Sequence, residues 1–313
     1  MKVLVTGGSG FIGTATIKNL TDKGHEVLVL DHQTENHKAK NYGPGTDVFL
    51  GDIRDADAMV EAMAHVDSFI HLAGVLGTAE TILNPRPAAH TNIVGGLNVL
   101  EAAVQYKIPG INIAVGNWFE NNTYSLTKNT VERFCKMYQK ERGLNVTVIR
   151  GLNVFGPGQS VAAPFGTSKV RKVGPSFMCR ALTGMPVEIY GDGENIMDFI
   201  YIDDMAEVLV RGLEYTVEHG YVPTVIEAGL GRHSSVNDFA NRIKEQVETN
   251  YKTPVTINHL PMRPGETNGA VVKADATTLN LIGMDVSELT TIDDGIGNSL
   301  EYFSGYLRGR GLL

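Results

Sequence analysis

The stretch Lys2-Val3-Leu4-Val5-Thr6-Gly7-Gly8-Ser9-Gly10-Phe11-Ile12-Gly13 decides the fold. Its first five residues read as a short buried strand. The glycines follow as Gly-x-x-Gly-x-x-Gly, and helical spacing begins at Ile12 and runs to Asp22, before Gly24. Glycine permits a tight turn and close approach to a pyrophosphate. A helix N-terminus directly after it supplies N–H donors and a favourable dipole. Gly7, Gly10, Phe11, Ile12 and Gly13 are therefore candidate dinucleotide contacts. The second strand, Glu26–Asp31, ends in an acid. A carboxylate at that place accepts from both ribose hydroxyls and repels a 2′-phosphate, which favours NAD over NADP. Asp31 and the adjacent His32 join the candidate set.

Working outward, the first half alternates apolar strands with helices. Strands are expected at Asp47–Leu50, Ser68–Leu72, Ile111–Val115 and Val146–Arg150, and helices at Asp55–Ala64, Thr91–Tyr106 and Tyr124–Arg142. Fully apolar strands alternating with helices imply a parallel sheet covered on both faces, a doubly wound α/β fold. Asp52 and Ile53 close the third strand, where an adenine edge is read. Leu72, Ala73 and Gly74 run beside a cofactor. After residue 151 the pattern loosens. A loop rich in Gly, Pro and Ser spans 151–174, short elements follow, then a strand at Val225–Ala228 and helices near Val236–Thr249 and Asp293–Leu307.

Composition narrows the class. The chain has 313 residues, 42% of them hydrophobic, and a net charge of −8. That length holds one large domain or two lobes. The negative balance argues against nucleic acid, which demands Lys and Arg for its phosphates. No apolar run reaches membrane-spanning length, and the N-terminus leads into a Gly-rich turn rather than a signal segment. The two cysteines, Cys135 and Cys179, lack metal-ligand spacing. A cytoplasmic protein without a metal site is expected.

Tyr124 and Lys128 are four apart on a helix and share one face. An ammonium beside a phenol favours the phenolate, which then takes a proton from a hydroxyl. His71, in the fourth strand, reads as a satisfied buried histidine.

The motifs VTGGSGFIG, GDIRD, HLAG, Asn92 followed by GGLNVLEAA, Tyr124-x-x-x-Lys128, RGLNVFGPGQ, IYGDGEN, DFIYIDDMA and MRPGE occur in order over residues 1–270. In this the chain resembles the extended short-chain dehydrogenase/reductase family of nucleotide-sugar epimerases and dehydratases. The resemblance implies a Rossmann domain over 1–150, with a returning segment near 200–230, and a smaller nucleotide-sugar lobe over 151–313. It implies tightly held NAD, a homodimer formed through the two long helices, and a second role for Lys128 on the nicotinamide ribose. It also places Asn92 at the cofactor, and Asn153, Arg263 and Glu266 at the sugar diphosphate.

Two departures stand out. The family carries a Ser or Thr at the end of the fifth strand and then a long run before the Tyr. Here the strand ends Ala114-Val115-Gly116-Asn117, and seven residues separate Gly116 from Tyr124. Asn117 is the first candidate to replace that hydroxyl and Thr123 the second; Trp118 is a candidate wall of the sugar pocket. The Thr-Asp-Glu run of the 4,6-dehydratases is absent, leaving Glu120 as the loop's carboxylate, in one reading a solvated charge. Second, Met197 stands where the family often has Arg, so Lys169, Arg171 or Lys172 would substitute beside Arg263. The economical reading is NAD-dependent epimerisation of a UDP-hexose at carbon 4. Alternatives are a dehydratase or decarboxylase of the same family, or a non-catalytic NAD sensor.

Overall fold

The computed structural model describes residues 1–32 and 42–313. At its centre lie β1 (Lys2–Thr6), β2 (Glu26–Asp31), β3 (Thr46–Leu50), β4 (Ser68–His71), β5 (Gly110–Val115) and β6 (Val146–Gly151). With β11 (Ile226–Ala228) they form a seven-stranded sheet ordered β11-β6-β5-β4-β1-β2-β3. Every ladder in it is parallel. This is the doubly wound α/β architecture.

Strand alternation sorts the core into two faces. Val3 and Val5 of β1 point with Val27, Val29 and Ile70 to one side. There they meet Ile17 and Leu20 of α1 (Phe11–Asp22) and Val208, Leu209 and Leu213 of a later helix, Ile202–His219. Leu4, Leu28, Leu30 and Phe69 point to the other side. They pack on α2 (Ala56–Met63), α3 (Gly96–Tyr106) and α4 (Thr123–Arg142) through Met59, Leu100 and Val131.

A second core gathers residues from 155 to 307. Phe155, Phe177, Phe199 and Phe239 form an aromatic cluster in which Phe199 and Phe239 stack at 4.1 Å. It is wrapped by α5 (Val173–Leu182), the Ile202–His219 helix, here α6, α7 (Val236–Asn250) and α8 (Ile292–Arg308). Phe11 and Ile12 of α1 pack against this cluster, joining the glycine turn to the second core. Small parallel pairs complete it: β7 (Val154–Phe155) with β10 (Ile200–Tyr201), β8 (Val187–Tyr190) with β12 (Ile257–Leu260), and β9 (Ile196–Met197) with β13 (Val271–Val272).

Two expectations change. The helix expected from Thr91 is wound as a π turn over His90–Gly95 before continuing as α3. The short elements expected after 174 include α6, with 18 residues; the preceding apolar run Phe199–Ile202 hides its start. Several apolar residues of the two long helices point inward, towards the sheet. Leu100, Val131 and Tyr138 are buried, and Leu97, Val104 and Phe134 pack partly against the same core. No helix among the described residues is long and apolar enough to cross a membrane.

Candidate active site

The ends of β1 and β4 diverge at the point where the strand order reverses, the usual ligand crevice of an open α/β sheet. A cavity of about 1010 Å³ opens there and extends to β5 and the second core.

The glycine turn forms its floor. Gly7 has φ +72°, and a Cβ on it would lie 2.7 Å from the Ala73 backbone nitrogen. A Cβ on Gly13 would lie 2.5 Å from the Gly7 carbonyl oxygen. The turn is therefore closed to any larger residue. Gly10 caps α1 without a side-chain bond, and the first turn of the helix carries no acid. By contrast Asp55, Asn122, Ser235 and Thr291 cap their helices with side chains. The bare N–H groups of α1 thus face the cavity as an anion site.

Asp31 is buried at the end of β2 and accepts from the Ser9 amide at 3.1 Å, locking strand end to turn. His32 Nδ1 lies 3.5 Å from Asp31 Oδ1. Asp52 is gripped by Arg54 through Nε at 2.9 Å, which lowers its pKa. All of these line the cavity, as do Ile53, Leu72, Ala73 and Gly74.

The reactive end is set by β5 and α4. Asn122 caps α4, accepting from the Ser125 amide at 2.9 Å, and its own amide donates to the Gly265 carbonyl at 3.3 Å. The cap fixes where the helix begins and hence where Tyr124 and Lys128 point; both line the cavity with Asn117. Burial raises Tyr124 to about 12 and lowers Lys128 to about 8. The expected depression of the phenol by the ammonium is therefore not met, because desolvation dominates at both groups. Lys128 remains mostly charged at neutral pH. His71 is buried, bonded to Thr6 Oγ1 at 2.7 Å and driven to about 3, a neutral core histidine as read from the sequence.

The far end carries basic side chains, of which Arg171 is paired with Glu188. Arg171 and Arg263 lie over Tyr190, at 5.3 and 4.7 Å from its ring centre. Arg171 also donates to the Tyr190 hydroxyl at 3.0 Å, and Arg263 pairs with Glu266. Lys172 joins them on the cavity wall, its pKa lowered by burial. Met197 lines the wall too; Lys169 lies in a separate surface pocket. Asn153 adopts φ +40°, its amide bonded to the Asp198 carbonyl at 2.8 Å, and it also faces the cavity.

Besides Lys169, three sequence candidates stand apart from the cavity wall. Asn92 spends its carboxamide on both backbone groups of Val75 and on Thr127 Oγ1, so it braces the loop after β4. Thr123 occupies the first turn of α4 off the cavity-facing side. Trp118 is turned outward and lies 4.8 Å over the Arg150 guanidinium. Arg150 is itself held by Glu132 and Glu227. Conversely, Glu120 is not a solvated charge: it is buried and lines the cavity. Its partner Thr267 lies 147 residues away, a contact without local sequence signal. Buried Asp198, which accepts from the amides of Leu230, Gly231 and Ala274, also went unmarked in the sequence.

A glycine turn on an uncapped helix, an acid closing the next strand and a Tyr–Lys helix converge on one cavity, the arrangement of a candidate dinucleotide site in the doubly wound α/β class. The chain belongs to the NAD dependent epimerase/dehydratase family, whose model matches residues 3–227. It is 30% identical over 229 residues to dTDP-glucose 4,6-dehydratase of Streptomyces antibioticus, 65% of this chain and 66% of that one. It is 26% identical over 283 residues to UDP-N-acetyl-alpha-D-glucosaminuronate decarboxylase of Bacillus cytotoxicus, 83% of each. The crystal structure of UDP-glucose 4-epimerase with UDP-glucose from Thermotoga maritima superposes with a TM-score of 0.82 at 28% identity, covering 98% of this chain and 100% of that one.

Proposed function

We propose that the protein epimerises a nucleotide-sugar, a UDP-hexose at carbon 4, through a transient keto sugar. The observation that carries this reading is the convergence of Tyr124 and Lys128 with the Gly7–Gly13 turn and Asp31 on one cavity. The residues present fit NAD. The α1 N-terminus and its glycines would hold the pyrophosphate, Asp31 the adenosine ribose, Asp52 and Ile53 the adenine edge, and Lys128 the nicotinamide ribose. When bound, NAD supplies the hydride acceptor and donor.

Tyr124 takes the proton of the sugar hydroxyl and later returns it. Burial holds the Tyr124 phenol protonated in the empty site, so forming the phenolate needs positive charge brought with the bound ligand. Asn117 stands in for the missing strand-end hydroxyl as a donor to the sugar oxygen. Arg263 with Lys172 and Arg171 would clamp the diphosphate in place of the Arg absent at Met197, since guanidinium suits phosphate oxygens. Trp118 and Thr123 have no role in this scheme, and Asn92 acts only by positioning.

A dehydratase reading gains from Glu120, a second carboxylate on the cavity wall. We further propose a cytoplasmic homodimer. Exposed Val94, Leu126 and Met137 on the His90–Gly95 turn and α4 offer it a face, and two free buried thiols suit a reducing compartment. Chromatography of nucleotides released on denaturation tests the reading. NAD with a UDP-sugar is the expected result. NADP would contradict the role of Asp31.

A further inference from the structure

We propose that Glu120 determines substrate choice: its carboxylate accepts a hydroxyl of the bound sugar and excludes sugars that carry a carboxylate. The inference rests on the nucleotide-sugar reading above and names the substrate class within it.

The shortened loop builds this group deliberately into the wall. The Glu120 amide donates to the Asn117 carbonyl at 3.1 Å, closing a turn that places both side chains on the cavity. Glu120 is 8% exposed. One oxygen, Oε2, accepts from Thr267 Oγ1 at 3.1 Å. Among the described residues no cation reaches it within ion-pair distance. The comparison with its neighbours on the same wall is telling: Asp52 has Arg54, Glu188 has Arg171 and Arg180, and Glu266 has Arg263. Glu120, like Glu80 on the same wall, has no Lys or Arg ion-pair partner among the described residues, and it is the one of the two that is buried.

A carboxylate offers about four acceptor directions, and Thr267 fills one. A buried acceptor without donors is costly, so a ligand that brings an O–H or N–H is favoured. A ligand carboxylate brings no donor and adds like-charge repulsion where water is scarce. Glu120 also sits between the two ends of the site. It is four residues before Tyr124, and through Thr267 it touches the segment that carries Arg263 and Glu266. On the nucleotide-sugar reading this places it at the sugar, between Tyr124 and the diphosphate clamp. A site built to bond a hydroxyl discriminates strongly against analogues without it.

The test uses NAD-loaded protein with a matched pair, UDP-glucose and UDP-glucuronate. Turnover is followed by kcat/KM, and binding by isothermal titration calorimetry. Wild type should prefer UDP-glucose. Glu120→Gln keeps shape and the Thr267 contact but removes the charge, and should cut that preference by about tenfold, mainly through tighter uronate binding. Thr267→Val should keep the wild-type preference, because the charge remains. An unchanged ratio in Glu120→Gln overturns the proposal. So does a wild type that turns over UDP-glucose without preferring it, which leaves the epimerase reading intact. A 4-keto-6-deoxy product lost in Glu120→Gln also overturns it and makes Glu120 an acid/base. A wild type that binds neither nucleotide-sugar removes both readings.

Discussion

Two connections leave the C-terminal edge of the sheet and enter a cavity-lining helix. The Gly7–Gly10 turn after β1 is shaped by close backbone approach, a left-handed Gly7 and an uncapped helix start, with the neighbouring Asp31 carboxylate accepting from the Ser9 amide. The 116–122 loop after β5 is held by side chains from distant places. Trp118 rests on Arg150, Asn122 reaches Gly265, Glu120 meets Thr267, and a Cβ on Gly116 would strike Leu152 at 2.7 Å. On the proposed reading the first connection holds the dinucleotide and leaves little freedom, while the second faces the sugar and is fixed by long-range side-chain braces.

The sharpest way to break this comparison is to remove the reacting group on the second connection. Tyr124→Phe should lower kcat by about 10²–10⁴-fold with unchanged folding, because only the proton carrier is lost. Retained turnover would move the chemistry elsewhere, with Glu120 the first place to look.

On the first connection the expected loss is structural. Gly7→Ala should destabilise the fold by about 2–4 kcal/mol in denaturant melts and abolish NAD retention. Its Cβ would meet main chain at a positive φ, where nothing flexible can give way.

Lys128→Met turns the sign around. Lys128 is buried, with its pKa lowered to about 8 from 10.5. A lysine depressed on folding costs stability in full below its folded pKa, and that cost fades as pH rises from about 8 towards 10.5. The variant should therefore gain roughly 2–3 kcal/mol at pH 7 without cofactor, lose that gain above pH 10, and be inactive. Urea melts at pH 7 and 10 check this; a destabilised variant at pH 7 would mean that the ammonium is satisfied in the folded chain.

The smallest effect belongs to Thr123→Val. It should leave turnover unchanged and stability within about 0.5 kcal/mol. A large loss of kcat would reinstate Thr123 as the missing hydroxyl.

The same contrast explains what was legible beforehand. Strands β1 and β2 and the acid at Asp31 announce themselves through local rules: apolar runs, glycine spacing and an acid at a strand end. Tyr124 and Lys128 were legible because helical periodicity puts them on one face. The orientation of Trp118, the bracing role of Asn92 and the burial of Glu120 depend on partners far along the chain, at Arg150, Val75 and Thr267. No local pattern encodes those meetings. The π turn at His90–Gly95 was equally silent, since its residues read as ordinary helix.

The most direct measurement is proton NMR of UDP-glucose incubated with NAD-loaded protein in deuterated water. Epimerisation at carbon 4 returns the same hydride, so UDP-galactose should form with no deuterium on carbon. A product carrying deuterium on its ring or methyl carbon, or a 4-keto-6-deoxy sugar, would contradict the reading and show that elimination takes place at this site.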